Sequence, residues 1–132
     1  MPELWVANAG RLRYADGVAL QERVRARRQS GEIPDTLLFV EHDPVYTKGR
    51  RSEPGHLPMG EDWYRMQGIE VCETDRGGRV TYHGPGQLVG YPILDLDPDR
   101  RDVRRYVVDL SDVLVRTLRG LGIEARSRPS PH

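Results

Sequence analysis

The stretch Arg76–Ile93, RGGRVTYHGPGQLVGYPI, constrains the fold more than any other part of the chain. Glycine inside a strand is costly unless the backbone needs a positive φ or a neighbour needs the room. Gly77-Gly78 therefore marks a place where a ligand or another backbone comes close. Adjacent glycines also let successive N–H groups converge into an anion-accepting nest, and Arg76 adds a forked, permanently charged donor beside it. Along Arg79–His83 the strand period of two puts Thr81 and His83 on one face and Tyr82 on the other. Gly84-Pro85-Gly86-Gln87 suits a type II turn, with Pro85 pre-setting φ and Gly86 accepting the positive φ that follows. The expected product is a hairpin-like pair of strands with a glycine-lined floor and His83 at its rim. A hairpin whose glycines serve turn geometry alone is the plainer alternative. The gathering of Arg, Thr, Tyr and His around the turn favours a functional loop.

At these residues the chain resembles octanoyltransferases of the lipoate-protein ligase B type. Their hallmark is Arg-Gly-Gly, two residues, then Thr-Tyr-His-Gly-Pro-Gly-Gln, and Arg76–Gln87 reproduces it. The likeness extends back through LLFVEHDPVYTKGRRS (Leu37–Ser52) and forward through LVGYPILDL (Leu88–Leu96). ATP-using lipoate ligases share a glycine-rich arginine motif ending in Tyr-His but lack the Gly-Pro-Gly-Gln continuation.

The resemblance implies an α/β fold with a mixed sheet, the catalytic core shared by biotin and lipoate protein ligases, with its C-terminal half missing. It makes residues 1–125 the N-terminal part of the domain, while the Ser-, Arg- and Pro-rich residues 126–132 read as a frayed tail. It implies that Arg76, Gly77, Gly78, Arg79, Val80, Thr81, Tyr82 and His83 bind the acyl substrate, with Tyr82 and His83 at the polar mouth. Its partners would be octanoyl-acyl carrier protein, and the lipoyl domains of 2-oxoacid dehydrogenases and the glycine cleavage H protein. Family members are longer, and their nucleophilic cysteine and pKa-lowering lysine lie beyond the matched part. No catalytic residue is therefore assigned in this chain. Three readings stay open: the N-terminal part of an octanoyl-transferring enzyme, a catalytically dead remnant that keeps only the acyl-binding half-site, or a relative of the ATP-dependent lipoate ligases.

Composition narrows the alternatives. The 132 residues carry 20 basic and 20 acidic side chains, so nothing draws the chain to nucleic acid or a membrane surface. No apolar run approaches the roughly 20 residues of a membrane span, and MPELWVANAG lacks the basic and apolar regions of a signal peptide. The single cysteine, Cys72, excludes an internal disulfide and fits a reducing, cytoplasmic compartment. The histidines (His42, His56, His83, His132) and Cys72 have no metal-ligand spacing, and no Gly-x-x-x-x-Gly-Lys motif is present; no cofactor or metal is expected.

Around the motif, the spacing predicts a strand at Leu4–Ala9, an amphipathic helix at Tyr14–Arg28 and a buried strand at Thr36–Glu41. Asp43-Pro44 turns the chain and leaves His42 at a strand end, where the resemblance makes it acyl-pocket wall and the residues alone allow a structural histidine. Short strands are expected at Val45–Lys48 and Ile69–Thr74, with a basic loop at Gly49–Ser52 and a short helix at Asp62–Gln67. Cys72 has no activating neighbour, and Glu70 and Glu73 oppose its thiolate; it reads as a small apolar spacer. Val103, Val107, Leu110, Leu114, Leu118 and Leu121 keep helical spacing behind an N-cap at Asp102 or Asp99, and this stripe is expected to pack on the sheet. Ile123–Ala125 is expected to begin another strand.

Overall fold

The computed structural model describes residues 3–97 and 102–128. Asp99 and Pro129–His132 lie outside these residues. The chain divides into two compact units, Met1–Asp95 and Leu96–His132.

In the first unit, β1 (Leu4–Leu12), β2 (Asp35–His42) and β6 (Val89–Ile93) form a mixed sheet in the order β1-β2-β6. β1 runs parallel to β2 and β6 antiparallel to it. A parallel pair needs a crossover, and α1 (Tyr14–Gln29) supplies it. β1 continues past the expected Ala9, because a bulge between Asn8 and Gly10 absorbs the break in its pattern. There the Gly10 N–H donates to the Asn8 side chain at 2.9 Å and Gly10 takes φ +71°. On β2 every second residue (Thr36, Leu38, Val40, His42) is buried. α1 buries little but Gly17, and Gly17 lies on the His42 ring: a Cβ there would be 2.8 Å from Cε1.

A second sheet has the order β4-β3-β5, built from β4 (Glu70–Glu73), β3 (Val45–Lys48) and β5 (Val80–His83). β3 is parallel to β4 and antiparallel to β5. Its register divides the residues by face, since paired residues point the same way. Tyr46 pairs with Val71 and Tyr82, and this face joins Leu57, Tyr64 and Val80 in a small apolar core beside α2 (Glu61–Met66). Val45 pairs with Glu70 and His83, and Thr47 with Cys72 and Thr81. One face of this sheet thus holds the core, and the other carries polar and titratable groups.

The expected hairpin at Gly84–Gln87 is not formed. The turn itself is present: the Gln87 N–H donates to the Gly84 carbonyl at 3.1 Å and Gly86 has φ +89°. Its two flanking strands, however, enter different sheets, β5 pairing with β3 and β6 with β2. Hairpins favour the mirror-image turn types, whose twist matches paired strands, whereas a type II turn splays them. His42–Pro44 makes the corresponding step from β2 to β3, so two long antiparallel segments change sheets at the same level.

The second unit contains α3 (Val103–Gly120), where the Asp102 carboxylate accepts from the Arg105 N–H at 3.2 Å. Gly122, at φ +82°, follows its end. Of the apolar stripe expected to pack on the sheet, Val103, Val107, Leu114 and Leu121 are each more than half accessible, and Leu110 and Leu118 are half-buried. Ile123–Ala125 forms no strand among the described residues, since a strand exists only through a partner's hydrogen bonds.

Candidate substrate-binding loop

Gly49–Arg51, just after β3, holds the Arg76–Arg79 loop from within. The N–H groups of Gly49, Arg50 and Arg51 donate to the carbonyls of Arg79, Arg76 and Gly78 at 2.8, 3.0 and 2.8 Å. The Gly77 carbonyl accepts from Arg76 Nη1 at 2.9 Å. All four carbonyls of Arg76–Arg79 are therefore turned inward. Because the peptide is planar and trans, the N–H groups of Gly77, Gly78 and Arg79 point the opposite way, away from the Gly49 loop.

The close approach depends on Gly49. A Cβ there would lie 2.5 Å from the Gly78 carbonyl oxygen and 2.6 Å from that of Gly77. Gly77 differs, because nothing lies within 4 Å of where its Cβ would stand. The close backbone approach at this loop is thus set by Gly49, while the space at Gly77 is open. Gly78 has φ +84°, which L side chains rarely adopt.

Arg76 ties this loop to the second sheet: its Nη2 donates to the carbonyl and to the hydroxyl of Thr47, each at 2.7 Å. Thr47 is fully buried, so the guanidinium covers the polar face of β3. Val80 packs on the apolar core. Thr81 and His83 point to the polar face, and Tyr82 points to the other. The Tyr82 ring lies 5.1 Å from Tyr46 and rests over Gly84, where any Cβ would collide with it. Tyr82 and His83 thus stand on opposite sides of the strand, as their alternation predicts. The Arg79 carbonyl meets the Gly49 N–H while the residue itself is exposed.

On the polar face, aromatic and imidazole rings gather around His42. Its ring centroid is 5.2 Å from Tyr14, 5.8 Å from Tyr91 and 6.1 Å from His83. His42 is wholly buried, and its Nε2 is 2.7 Å from the Tyr91 hydroxyl. Burial lowers its pKa; the nearby Leu12 carbonyl opposes this and His83 adds to it. Nδ1 is buried and has no partner of good hydrogen-bond geometry. Burial also pushes the Tyr91 phenol up to about 12. The Tyr91 hydroxyl can donate to Nε2 or accept from it, according to the ring's tautomer. The two expectations for His42 meet here: it is a hydrogen-bonded buried histidine, and it stands beside the loop's terminal His83.

Cys72 lies on this face opposite Thr47. Burial raises its pKa, and Glu70, whose carboxylate is 4.0 Å from the sulfur, raises it further. It is not an activated nucleophile. Lys48 is engaged by Glu61 at 2.8 Å and Glu73 at 3.6 Å. No cluster of metal-ligating side chains occurs among the described residues.

Sequence reasoning overlooked Thr47, Gly49, Tyr91 and Gln87 as parts of this site. Thr47 and Gly49 lie nearly thirty residues before the loop they hold, and only their shared motif block hinted at a link. Gln87 was visible as the end of the hallmark, without a task.

The fold is that of the lipoate protein ligases. The chain is similar to a bi-partite lipoate protein ligase from Thermoplasma acidophilum, with a TM-score of 0.72 over 97% of this chain and 49% of that one at 21% identity. It is also similar to a lipoate-protein ligase A bound with ATP, with a TM-score of 0.66 over 99% and 51% at 20% identity. Residues 13–131 match the lipoyl protein ligase A/B catalytic domain, and the chain belongs to that family. Among its relatives are octanoyltransferases of Rubrobacter xylanophilus, 51% identical over 88% of this chain and 52% of that protein, and of Solibacter usitatus, 48% identical over 91% and 54%. That of Myxococcus xanthus is 45% identical over 98% of this chain and 36% of its own length. The chain spans about half the length, or less, of these curated relatives.

Proposed function

We propose that this chain forms the acyl-binding part of an octanoyltransferase, which moves an octanoyl group from octanoyl-acyl carrier protein to a lipoyl-domain lysine. The acceptors would be the lipoyl domains of 2-oxoacid dehydrogenases and the glycine cleavage H protein, and the setting the cytoplasm. One observation carries the reading: the Arg76–Arg79 carbonyls are all engaged inward, which leaves the N–H groups of Gly77 and Gly78 turned away from them, with open space at Gly77. Such N–H groups suit a thioester carbonyl and the negative charge that grows on it during acyl transfer. Arg76, Arg79, Val80, Thr81 and Tyr82 fix the loop and strand around them, and His83 stands at the strand end. No helix among the described residues is long and apolar enough to cross a membrane.

The transfer would run through a thiolate: sulfur attacks the thioester carbonyl, the carrier thiol leaves, and the lysine amine then displaces the sulfur. Cys72 does not fit that role, because burial and Glu70 hold it protonated. This favours a second reading, in which the 132-residue chain binds the acyl group without turning it over. Calorimetric titration with octanoyl-acyl carrier protein, alongside a transfer assay to a lipoyl domain, tests both. Binding without transfer is expected, unchanged in Cys72→Ser. Absence of binding sinks the acyl-site reading, and transfer that Cys72→Ser abolishes would put the nucleophile where the structure denies it.

A further inference from the structure

The Gly84–Gln87 turn does more than reverse the chain. It returns the Gln87 side chain to the end of β5, where Gln87 Oε1 lies 2.6 Å from His83 Nδ1. The turn is held in that posture twice, by the Gln87 N–H on the Gly84 carbonyl and by the Gly86 N–H on Glu41 Oε1 at 2.9 Å. Glu41 belongs to β2, so the reach of Gln87 is referenced to the first sheet and not only to its own loop. A carbonyl oxygen can only accept, so Nδ1 of neutral His83 must carry the hydrogen.

We propose that Gln87 is a positioning residue, which locks neutral His83 in the Nδ1–H tautomer and so presents Nε2 as a bare hydrogen-bond acceptor. The assignment has a chemical consequence, which rests on the acyl-transfer reading above. A bare ring nitrogen repels a thioester carbonyl and welcomes an N–H. His83 therefore serves the incoming amine, or an amide N–H of the carrier's thioester arm, while the carbonyl goes to the loop N–H groups. The Nε2 of the neighbouring His42 is instead occupied by the Tyr91 hydroxyl at 2.7 Å. Of the two rings only His83, half-buried, has an Nε2 with lone-pair capacity to offer a ligand.

Imidazole nitrogen spectra of the ¹⁵N-labelled 132-residue chain, recorded at a pH where His83 is neutral, separate the tautomers directly. The expected wild-type pattern is a protonated-type Nδ1 and a bare-type Nε2 for His83. Gln87→Leu, at an exposed position, should shift the majority to Nε2–H with the backbone amide spectrum otherwise intact. Gln87→Glu keeps an accepting oxygen and should restore the wild-type pattern, which a merely structural role for Gln87 would not require. An Nε2–H ring in the wild type, or an unchanged tautomer in Gln87→Leu, overturns the proposal. Binding of octanamide and methyl octanoate tests the consequence. The amide, which can donate, should bind several-fold better to the wild type and lose that preference in Gln87→Leu; preference for the ester overturns the donor assignment. If neither binds while the tautomers behave as stated, the acyl-site reading fails and the positioning role of Gln87 stands.

Discussion

Arg76 donates from one guanidinium nitrogen to both the carbonyl and the hydroxyl of Thr47, each at 2.7 Å, although the residues are 29 apart in sequence. Thr47 has 1% of its surface accessible, so the hydrogen bond is sheltered from water. Charge-assisted bonds of this kind contribute about 1.5–3 kcal/mol. Thr47→Val keeps the volume and removes the hydroxyl. It should lower stability by about 1–2 kcal/mol in urea unfolding, less than the full bond because the carbonyl contact survives. Arg76→Lys, which replaces a planar fork with a point charge, should lose more; a neutral result for both substitutions would mean that the clamp does not hold the loop.

Gly49 and Gly77 should respond oppositely to the same substitution. Gly49→Ala forces a methyl group to within 2.5 Å of one main-chain oxygen and 2.6 Å of another. Backbone yields poorly, so overpacking should cost about 1–3 kcal/mol. Gly77→Ala meets nothing within 4 Å and should change stability by no more than about 0.5 kcal/mol. Its methyl group would nonetheless stand where the acyl group is proposed to lie, so affinity for octanoyl-acyl carrier protein should fall at least tenfold. Thermal unfolding with calorimetry separates the two outcomes, and a Gly77→Ala chain that binds normally would remove the glycine floor from the site.

The strand elements were largely legible because each carries its own period: β2 reads as a buried run, and β3 and β5 fall where alternation puts them. The placing of β5 and β6 in separate sheets was not legible. It depends on β3 and β2 competing for them, which no local pattern encodes. Likewise the N–H face of the glycine loop follows from Gly49–Arg51, far upstream in sequence. Within the site, alternation correctly set His83 apart from Tyr82. Local sequence says nothing of a histidine's hydrogen-bond partner, and both Tyr91 and Gln87 emerged only from the fold.

His42 gives the fold a defined pH dependence. Its pKa in the folded chain is lowered from the usual value near 6.5, chiefly by burial. Between the lowered value and about 6.5 the unfolded chain therefore binds more protons than the folded one, and stability rises with pH there. The contribution is complete above about pH 6.5 and is lost as pH falls through the folded pKa. Urea unfolding from pH 7.5 down to pH 5 should show this decline, and it should flatten in His42→Gln. Tyr91→Phe strips Nε2 of its partner and should cost about 1–2 kcal/mol at pH 7.5. A His42→Gln chain with an unaltered pH profile would assign the proton uptake to another group.

Gly17 is the point where α1 reaches that ring. A Cβ at Gly17 would stand 2.8 Å from His42 Cε1, and the ring is wholly buried with Tyr14 and Tyr91 on its flanks. In an exposed helix Gly→Ala stabilises by roughly 0.5–1 kcal/mol. Here the sign should reverse, with a net loss of about 1–2 kcal/mol once overpacking is set against propensity. Displacing the ring would also disturb its hydrogen bond to Tyr91, so the His42 imidazole resonances should move in Gly17→Ala. Stabilisation with unmoved resonances would show that helix and ring are less closely packed.

Cys72 should behave as a sheltered thiol. Burial comes first among the causes that raise its pKa, and the Glu70 carboxylate second. Since the thiolate is the reactive form, modification by a disulfide reagent at pH 7.5 should be slower than for a free cysteine and should climb with pH. Glu70→Gln removes the opposing charge and should speed the reaction by less than about tenfold, because a tenfold change in thiolate needs a full pKa unit. Rapid modification of the wild-type chain at pH 7.5, with a rate that levels off below pH 8, would instead mark Cys72 as activated. It would reopen the question of which sulfur in this protein accepts an acyl group.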